Sequence, residues 1–323
     1  MRDADEIAHD AGLLHLGDDR PGIRRRRRGR GFSYERTGGD RRPIGAATRE
    51  RIDALVILPA WRDVWIAPEA DAHLQATGVD AAGRKQYRYH DAWTEAAALD
   101  KFEHLAVVGA RLPRVRRRVA ADLAGGDADV AAVVRLIDRG LIRPGSDSAT
   151  EAAGATTLAP DTIAVRRDRV VLDFVGKSAV EQHVEIDDAD LADALRAILR
   201  RSSSDDECLF ADCVERAVRA PHVNDYLAEA SGAEITAKDL RTWGATAADV
   251  EVLCTAGDDA DGTAMYEQVA ELLGNTPAVC RSSYVAPCVV DAHESGQLAP
   301  LWRRSRTSTW MTRAERTLTK FLT

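Results

Sequence analysis

Lysine is scarce in this chain, and this limits where a cation could take part in acid–base chemistry. The chain has 44 basic residues, and all but five of them are arginine. So strong a bias is typical of genome composition rather than of a particular function. An ammonium group can give up a proton in a reaction, whereas a guanidinium group stays charged. The cationic candidates for proton transfer are therefore Lys85, Lys101, Lys177, Lys238 and Lys320.

The sequence also lacks the patterns of zinc sites and of membrane proteins. Its cysteines form no C-x-x-C pair, which is typical of reduced thiols in a cytoplasm. No apolar run approaches the roughly 20 residues that span a bilayer. The first residues are acidic rather than basic and then apolar, so we expect no signal peptide and a soluble cytoplasmic protein. The five cysteines are Cys208, Cys213, Cys254, Cys280 and Cys288.

Charge is unevenly distributed along the 323 residues, a length that suits two domains. The net charge of −8 is unusual for a protein that binds nucleic acid. Phosphates respond to the local field, however, and Arg24 to Arg28 form a run of five arginines. We expect residues 1–30 to be a basic, flexible arm. Such an arm is either a solvated tail or a non-specific phosphate-binding segment.

Residues 31–92 are predicted to form a small β-rich domain. Short β-like segments, at 32–34, 64–67 and 86–90, are separated by glycines, with one helix predicted over 48–58. The last segment alternates cations with aromatic side chains. It is either an amphipathic edge strand or a strand laid against DNA. In the second case the DNA-binding residues are Lys85, Gln86, Tyr87, Arg88, Tyr89 and His90, joined by Lys238 from the next domain.

Residues 93–323 are predicted to be mostly helical. Apolar spacing predicts helices over 102–123, over 130–142 just before Arg143, and over 313–322. A period of two predicts a three-stranded meander over 162–165, 170–175 and 182–186, with Lys177 on a hairpin tip. Thr236 and Asp239 have the spacing of a capping box that opens a helix through Arg241. Lys238 and Arg241, three residues apart, share a face of that helix.

The stretch from Leu272 to Val290 contains a candidate nucleophile, Tyr284. Thr276 is suited to cap a helix and Pro277 to begin it, and we expect this helix to run through Tyr284. Helical side chains lean toward the N-terminus, so the hydroxyl would point toward Asn275 and toward a helix end that attracts phosphate. An isolated tyrosine is more often an ordinary half-buried aromatic residue.

Five residues, Arg143, Lys177, Arg241, Asn275 and Tyr284, together resemble the active site of the poxvirus-like and bacterial type IB DNA topoisomerases. The matching stretches follow the order of that family and cover nearly the whole chain after residue 30. They are GFSYERTGG (31–39), GRKQYRYH (83–90), KFEHLAVVGARLPRVRRRVAADL (101–123), VVRLIDRGLIR (133–143), GKS (176–178), KDLRTWGAT (238–246) and GNTPAVCRSSY (274–284).

The resemblance implies an α+β fold, with a small N-terminal β-rich domain and a larger, mostly helical catalytic domain that contains the meander. The two domains would clamp duplex DNA. A tyrosine would cut one strand and leave a 3′-phosphotyrosyl link and a free 5′-hydroxyl group, and the strand would be resealed after supercoils relax. No ATP, cofactor or required metal is implied. We expect a monomer that works on the nucleoid and not at a membrane.

The chemistry of the residues agrees with these roles. Tyr284 can attack a phosphodiester, and a phenol with a pKa of about 10 also leaves readily in the reverse step. Arg143 and Arg241 can neutralise charge on the phosphate, and Asn275 can donate an amide N–H to a non-bridging oxygen. Lys177 can protonate the leaving oxygen as a general acid. No residue stands out as the base that deprotonates Tyr284.

The chain departs from the family beside Arg143. The family usually continues with Val-Gly-Asn-Glu and later with Thr-Tyr-Gly-Leu-Thr-Thr-Leu, whereas this chain has Pro144-Gly145-Ser146-Asp147 and then residues 153–158 as AGATTL. Ser282 stands where a lysine is common and Ala286 where a histidine is common. We expect the support of Arg143 to differ and DNA contacts near Tyr284 to be weaker.

Two other functions fit part of the pattern. A tyrosine recombinase uses the same Arg, Lys, Arg and Tyr chemistry, but it usually has His-x-x-Arg at the second arginine, where this chain has Lys238 to Arg241. A recombinase also has a helical N-terminal domain. The other alternative is a DNA-binding protein that has kept the clamp and lost the chemistry around Arg143.

Overall fold

The computed structural model describes residues 2–125, 128–145, 152–202, 208–210, 218–256 and 262–323. The chain divides into two compact units, Met1–Phe102 and Glu103–Thr323. The division falls within one long helix, ten residues after the boundary predicted at 92, and residues 1–30 belong to the first unit. Some positions discussed above lie outside the described residues, namely Ser146, Asp147 and Cys213.

The first unit is built on an antiparallel five-stranded sheet with the order β2-β1-β3-β4-β5. One helix packs on the sheet through Ile52, which joins Ile23, Trp61, Val64 and Ile66 in an apolar cluster. The elements in chain order are α1 (Ala4–Asp10), β1 (Ile23–Arg28), β2 (Gly31–Arg36), α2 (Ala46–Ala54), β3 (Arg62–Ile66), β4 (Leu74–Val79), β5 (Lys85–Tyr89) and α3 (Asp91–Leu123), which continues into the second unit.

The arginine run is strand β1, so the prediction of a flexible arm is wrong for these residues. All of β1 pairs with β2, and Ile23 and Arg24 also pair with β3. Arg25 donates hydrogen bonds to the carbonyl oxygens of Leu58 (3.0 Å) and Trp61 (2.7 Å), and its guanidinium lies 4.2 Å from the centroid of the Phe32 ring. The hairpin partner β2 and more distant residues together stabilise a strand whose own composition resembles that of a solvated tail.

The second unit is mostly helical and contains the predicted meander, so the α+β fold is confirmed. Its strands form an antiparallel sheet with the order β6-β7-β8. The elements are α4 (Ala128–Gly140), β6 (Ile163–Arg166), β7 (Arg169–Val175), β8 (Glu181–Asp187), α5 (Ala189–Arg201), α6 (Ala220–Ser231), α7 (Ala237–Ala256), α8 (Gly262–Leu273), α9 (Pro277–Ser283), α10 (Pro287–Glu294), α11 (Leu298–Arg304) and α12 (Arg313–Leu322).

A buried polar network fixes helix α7, which carries Arg241, within this unit. The indole N–H of Trp243 donates to Glu315 on α12 (3.2 Å), and Arg116 on α3 binds both Glu315 (2.6 Å) and Asp138 on α4 (2.8 Å). Burial lowers the pKa of Arg116, but the two carboxylates more than offset this effect and raise it. The network therefore connects α7 to three other helices, α3, α4 and α12, and the buried charge of Arg116 is paired with two carboxylates.

Within the described parts of the chain, no helix combines the length and the apolar character needed to cross a membrane.

Candidate active site

Four of the five candidate residues line one cleft in the second unit. The cleft has a volume of about 1350 Å³ and is lined by Arg143, Lys177, Asn275 and Tyr284, together with Lys238. These residues come from the turn after α4, the β7–β8 hairpin, the α8–α9 connection, the end of α9 and the start of α7. The fifth candidate, Arg241, is buried next to the cleft, where it contacts Tyr284. The fold therefore gathers residues that are far apart in the sequence.

Arg241 is aimed at the hydroxyl group of Tyr284. Its Nη1 donates a hydrogen bond of 2.6 Å to Tyr284 Oη, and its Cζ lies 4.8 Å from the ring centroid. Its Nε donates to the carbonyl oxygen of Leu141 (2.7 Å), and its Nη2 lies 3.5 Å from that of Leu273. Burial lowers the pKa of Arg241, the Tyr284 phenol opposes this effect, and the nearby positive charge of Arg143 adds to it. The carbonyl oxygens thus fix the guanidinium in one orientation.

The predicted capping box positions the first turns of α7. The backbone N–H of Thr236 donates to Asp239 Oδ2 (2.9 Å), and the backbone N–H of Asp239 donates in return to Thr236 Oγ1 (3.3 Å). One turn beyond Arg241, the hydroxyl of Thr246 donates to the backbone carbonyl of Tyr284 (3.0 Å). Helix α7 therefore holds the candidate nucleophile by its backbone as well as by its side chain.

Tyr284 lies just after helix α9 and not inside it, so the prediction that the helix runs through Tyr284 is wrong. Thr276 does cap the helix, through a bond from the N–H of Val279 (3.3 Å), and Pro277 is its first residue. The helix ends because the N–H of Val285 bonds back to the Cys280 carbonyl, five residues earlier. The tyrosine side chain is buried at 6% exposure, and its hydroxyl lies against Arg241.

The side-chain amide of Asn275 has its oxygen bonded and, among the described residues, its nitrogen unpaired. Nη2 of Arg143 donates to its Oδ1 (2.8 Å). An arginine can only donate, so the accepting atom is the oxygen, and the Nδ2 group is the one left over. In the described part of the chain, Nδ2 is buried without a hydrogen-bond partner. An unpaired buried donor costs about 1–3 kcal/mol, which a ligand oxygen would recover.

The segment that departs from the family supports Arg143 through its backbone. The carbonyl of Arg143 accepts a bond from the N–H of Ala155 (2.8 Å), and that of Pro144 accepts bonds from the N–H (2.8 Å) and hydroxyl (2.7 Å) of Thr156. Leu141 has a left-handed backbone (φ 52°), which is unusual for a leucine and turns the chain out of α4. Backbone bonds to Ala155 and Thr156, in the segment that departs from the family pattern, thus hold the chain at Arg143 in place.

Lys177 lies at the start of a short 3-10 turn in the β7–β8 hairpin, as the alternation of the strands predicts. Its side chain is exposed to the cleft. Within the described residues its ammonium group forms no hydrogen bond to the other four candidates. Lys177 therefore lines the same cleft as Arg143, Asn275 and Tyr284, on a long side chain with several rotatable bonds.

The predicted DNA-binding strand is β5, in the first unit. Tyr87 and Tyr89 share a face, with parallel rings 6.0 Å apart. Lys85 pairs with Asp18 and Gln86 with Asp80, and Arg88 lies near the carbonyl oxygen of Val56 at 3.4 Å. The strand ends before His90, which instead accepts the backbone N–H of Ala92 at the start of α3 (3.1 Å).

Sequence reasoning missed the groups that orient the reacting side chains. The carbonyl oxygens of Leu141 and Leu273 fix Arg241, and the hydroxyl of Thr246 fixes the backbone of Tyr284. Backbone carbonyls carry no signal in a sequence. Thr246 could have been suspected only from its position five residues after Arg241 on the same helix.

Comparison with known proteins agrees with this geometry. Residues 90–286 match the family model of the eukaryotic DNA topoisomerase I catalytic core. This match covers more than half of the chain and includes all five candidates. The chain belongs to the type IB DNA topoisomerases. It is therefore an isomerase that acts on DNA.

The N-terminal part of this topoisomerase and its overall sequence support the same assignment. Residues 31–80 match the model of the bacterial DNA topoisomerase IB N-terminal domain. The chain is 24% identical over 272 residues to a DNA topoisomerase 1B of Acanthamoeba polyphaga mimivirus. The aligned region covers 76% of this chain and 80% of the relative. Residues 1–30 precede both matched stretches.

Proposed function

We propose that this topoisomerase relaxes supercoils by cutting one strand of duplex DNA with Tyr284 and then resealing it. The observation that carries the proposal is the hydrogen bond from Arg241 to Tyr284 Oη, at the edge of a cleft that also contains Arg143, Asn275 and Lys177. A buried guanidinium beside a phenol oxygen stabilises the negative charge that develops as the phenol loses its proton. An ordinary buried tyrosine also needs a hydrogen-bond partner, but a neutral group is enough for it.

In the cleavage step one ester bond replaces another. The oxygen of Tyr284 attacks the phosphorus and loses its proton to water in the cleft, while the bond from phosphorus to the 5′ oxygen breaks. Lys177 gives a proton to that oxygen, so the product strand ends in a 5′-hydroxyl group. The other end is a phosphodiester between the 3′ oxygen and Tyr284. A lysine suits the acid role because arginine does not release a proton.

The phosphate is bound by three donors. Arg143 and Arg241 supply positive charge, and Asn275 Nδ2 is buried and still without a partner among the described residues. Charge on the non-bridging oxygens increases in the transition state, and fixed donors directed at them lower the barrier. Related enzymes often have histidine at position 275 and some have asparagine, because the role requires only a donor; the unpaired Nδ2 supports this role for Asn275.

Religation is the reverse reaction, in which the 5′-hydroxyl group attacks the phosphotyrosyl phosphorus and Tyr284 leaves. A phenol has a pKa of about 10, so it leaves readily, and the free energy of the broken bond is kept in the covalent link. This chemistry needs neither ATP nor a metal ion.

Strand β5, through Lys85 to Tyr89, and Lys238 supply further contacts to the duplex. The enzyme acts as a monomer on cytoplasmic, nucleoid DNA.

A plasmid assay tests the proposal. Supercoiled plasmid is incubated with the enzyme in EDTA and without ATP, and the products are separated on a gel. We expect relaxed topoisomers from the parent enzyme and none from Tyr284→Phe, which keeps the ring and loses only the nucleophile. Relaxation by Tyr284→Phe at the parent rate would overturn the proposal. Recombined products would indicate a tyrosine recombinase, and DNA binding without relaxation by the parent would indicate a catalytically silent protein.

A further inference from the structure

Gln182 lies between the two segments that carry Lys177 and Asn275. It is the second residue of β8, where it pairs with Phe174 of β7, and its half-buried side chain lines the catalytic cleft. Its amide Nε2 makes only a long bond, of 3.3 Å, to the carbonyl oxygen of Glu181. The side chain is thus held in the cleft mainly by packing.

Two glycines lie against Gln182, and each of them directly precedes a candidate catalytic residue. Gly274 has a left-handed backbone (φ 57°), and a Cβ atom built on it would collide with the Gln182 amide. A Cβ atom on Gly176 would lie 3.1 Å from Gln182 Cγ. The side chain therefore fills the space between the chain just before Lys177 and the chain just before Asn275.

This position matters because the Lys177 hairpin must be held at a fixed distance from the phosphate-binding groups. The ammonium group is on a flexible stem at an exposed hairpin tip, and its reach is set by where that hairpin lies relative to the phosphate-binding groups. A general acid must come within about 3 Å of the oxygen that it protonates. A displacement of about 1 Å can cost roughly 10²-fold in rate. The Asn275 segment holds the phosphate side of the site through its bond to Arg143.

We propose that Gln182 is a positioning residue that sets the Lys177 hairpin against the Asn275 segment and so places the general acid beside the leaving 5′ oxygen. This inference rests on the proposed function, in which Lys177 protonates that oxygen. Gln182 itself has no part in the bond changes.

The test is single-turnover cleavage by Gln182→Ala on two duplexes that differ in one atom. Both contain a site mapped beforehand by trapping the parent enzyme on DNA, and one has sulfur in place of the bridging 5′ oxygen. A thiol has a pKa of about 8.5, so a thiolate leaves without a proton from an acid. We expect cleavage of the oxygen duplex to slow by roughly 10–100-fold and cleavage of the sulfur duplex to stay within about threefold of the parent rate.

Matched variants give this result its meaning. Lys177→Ala should likewise cleave the oxygen duplex slowly and the sulfur duplex at close to the parent rate. Arg241→Ala should cleave both duplexes slowly, because Arg241 acts on the phenol and the phosphate. Asp187→Asn, at the far end of β8 and outside the cleft, should cleave both duplexes at the parent rate. Thermal unfolding and affinity for uncut DNA should be the same for Gln182→Ala and the parent, which excludes a folding defect.

Three outcomes would overturn the inference. They are equal losses on both duplexes, no loss on either duplex, and a loss accompanied by a lower melting temperature and weaker DNA binding. Failure of the proposed function is distinguishable from these, because then Lys177→Ala would show no recovery with sulfur or the parent enzyme would form no covalent adduct.

Discussion

Arg143 and Asn275, which are 132 positions apart in the sequence, are joined by a hydrogen bond of 2.8 Å from Nη2 to Oδ1. This bond fixes the orientation of the Asn275 amide, since an arginine can only donate. It leaves Nδ2 buried and unpaired within the described residues. The pair therefore presents a positive charge and a fixed N–H donor to the same cleft, an arrangement suited to one non-bridging phosphate oxygen.

Replacing Asn275 separates the donor role from the structural one. Asn275→Asp keeps the oxygen that accepts from Arg143 but removes the donor and adds a negative charge beside the phosphate. We expect cleavage to slow by at least ~10²-fold, the loss measured when one transition-state donor is removed. Asn275→Ala should lose a similar factor. Single-turnover cleavage measures this, and near-parent rates for Asn275→Asp would exclude donation by Nδ2.

Arg241 is expected to be needed as a guanidinium and not only as a positive charge. Arg241→Ala should slow cleavage by ~10²–10³-fold. Arg241→Lys should also be slow, because one ammonium group cannot bond to both the Leu141 carbonyl and Tyr284 Oη in the geometry of the fork. Arg200→Ala, an exposed arginine on α5, is the matched control. Full activity of Arg241→Lys would show that charge alone suffices.

Asp249 on α7 should make stability depend on pH. Its side chain is fully buried, neither carboxyl oxygen has a partner among the described residues, and burial raises its pKa to about 7. In the unfolded chain this group ionises near its ordinary value of 3.8. Between about pH 4 and pH 7 the Asp249 carboxyl is thus protonated in the folded state and ionised in the unfolded state. The free energy of unfolding therefore falls as pH rises through this range, and this contribution is constant above it. The loss of stability from this group across the range is at most about 4 kcal/mol.

Asp249→Asn removes this titration while it keeps the shape of the side chain. We expect the variant to unfold at a higher temperature than the parent at about pH 8 and at a similar temperature at about pH 4. Thermal unfolding followed by circular dichroism across this range measures the difference. Parallel pH profiles for the two proteins would show that Asp249 finds a partner for its charge in the folded state.

Asp18 should weaken DNA binding by strand β5. It pairs with Lys85 (2.7 Å) and accepts a bond from Thr77 (2.7 Å); although burial opposes the effect, these bonds lower the pKa of Asp18. Asp18→Asn should free Lys85 for a phosphate, raise the affinity for duplex DNA at low salt, and steepen the dependence of log K on log salt by about 0.9. Asp10→Asn, with the same charge change on α1, is the control. Equal affinity of both variants would remove Lys85 from the DNA interface.

Local signals in the sequence predicted much of the second unit. Helix α12 begins and ends at the predicted residues, and the strands of the meander match to within one residue. Thr236 and Thr276 cap the helices that they were expected to cap, each by accepting a backbone N–H with its hydroxyl oxygen. These features depend on neighbours within a few residues, where periodicity and capping chemistry act.

Features that depend on distant partners could not be predicted. Besides its hairpin neighbour β2, strand β1 depends on pairing with β3 and on carbonyl groups beyond α2 that bind Arg25. The end of α9 before Tyr284 depends on a hydrogen bond from the backbone N–H of Val285, and no side chain in the sequence indicates that bond. The alignment of Arg241 by the Leu141 carbonyl likewise joins residues 100 positions apart.

The most direct measurement of the central claim is the site of covalent attachment. The parent enzyme is mixed with an end-labelled duplex, stopped with denaturant and digested with a protease, and the DNA-linked peptide is sequenced by mass spectrometry. We predict a peptide carrying the 3′ phosphate on Tyr284 and a free 5′-hydroxyl group on the other DNA fragment. Attachment at any other residue, or at the 5′ end of the break, would contradict the account.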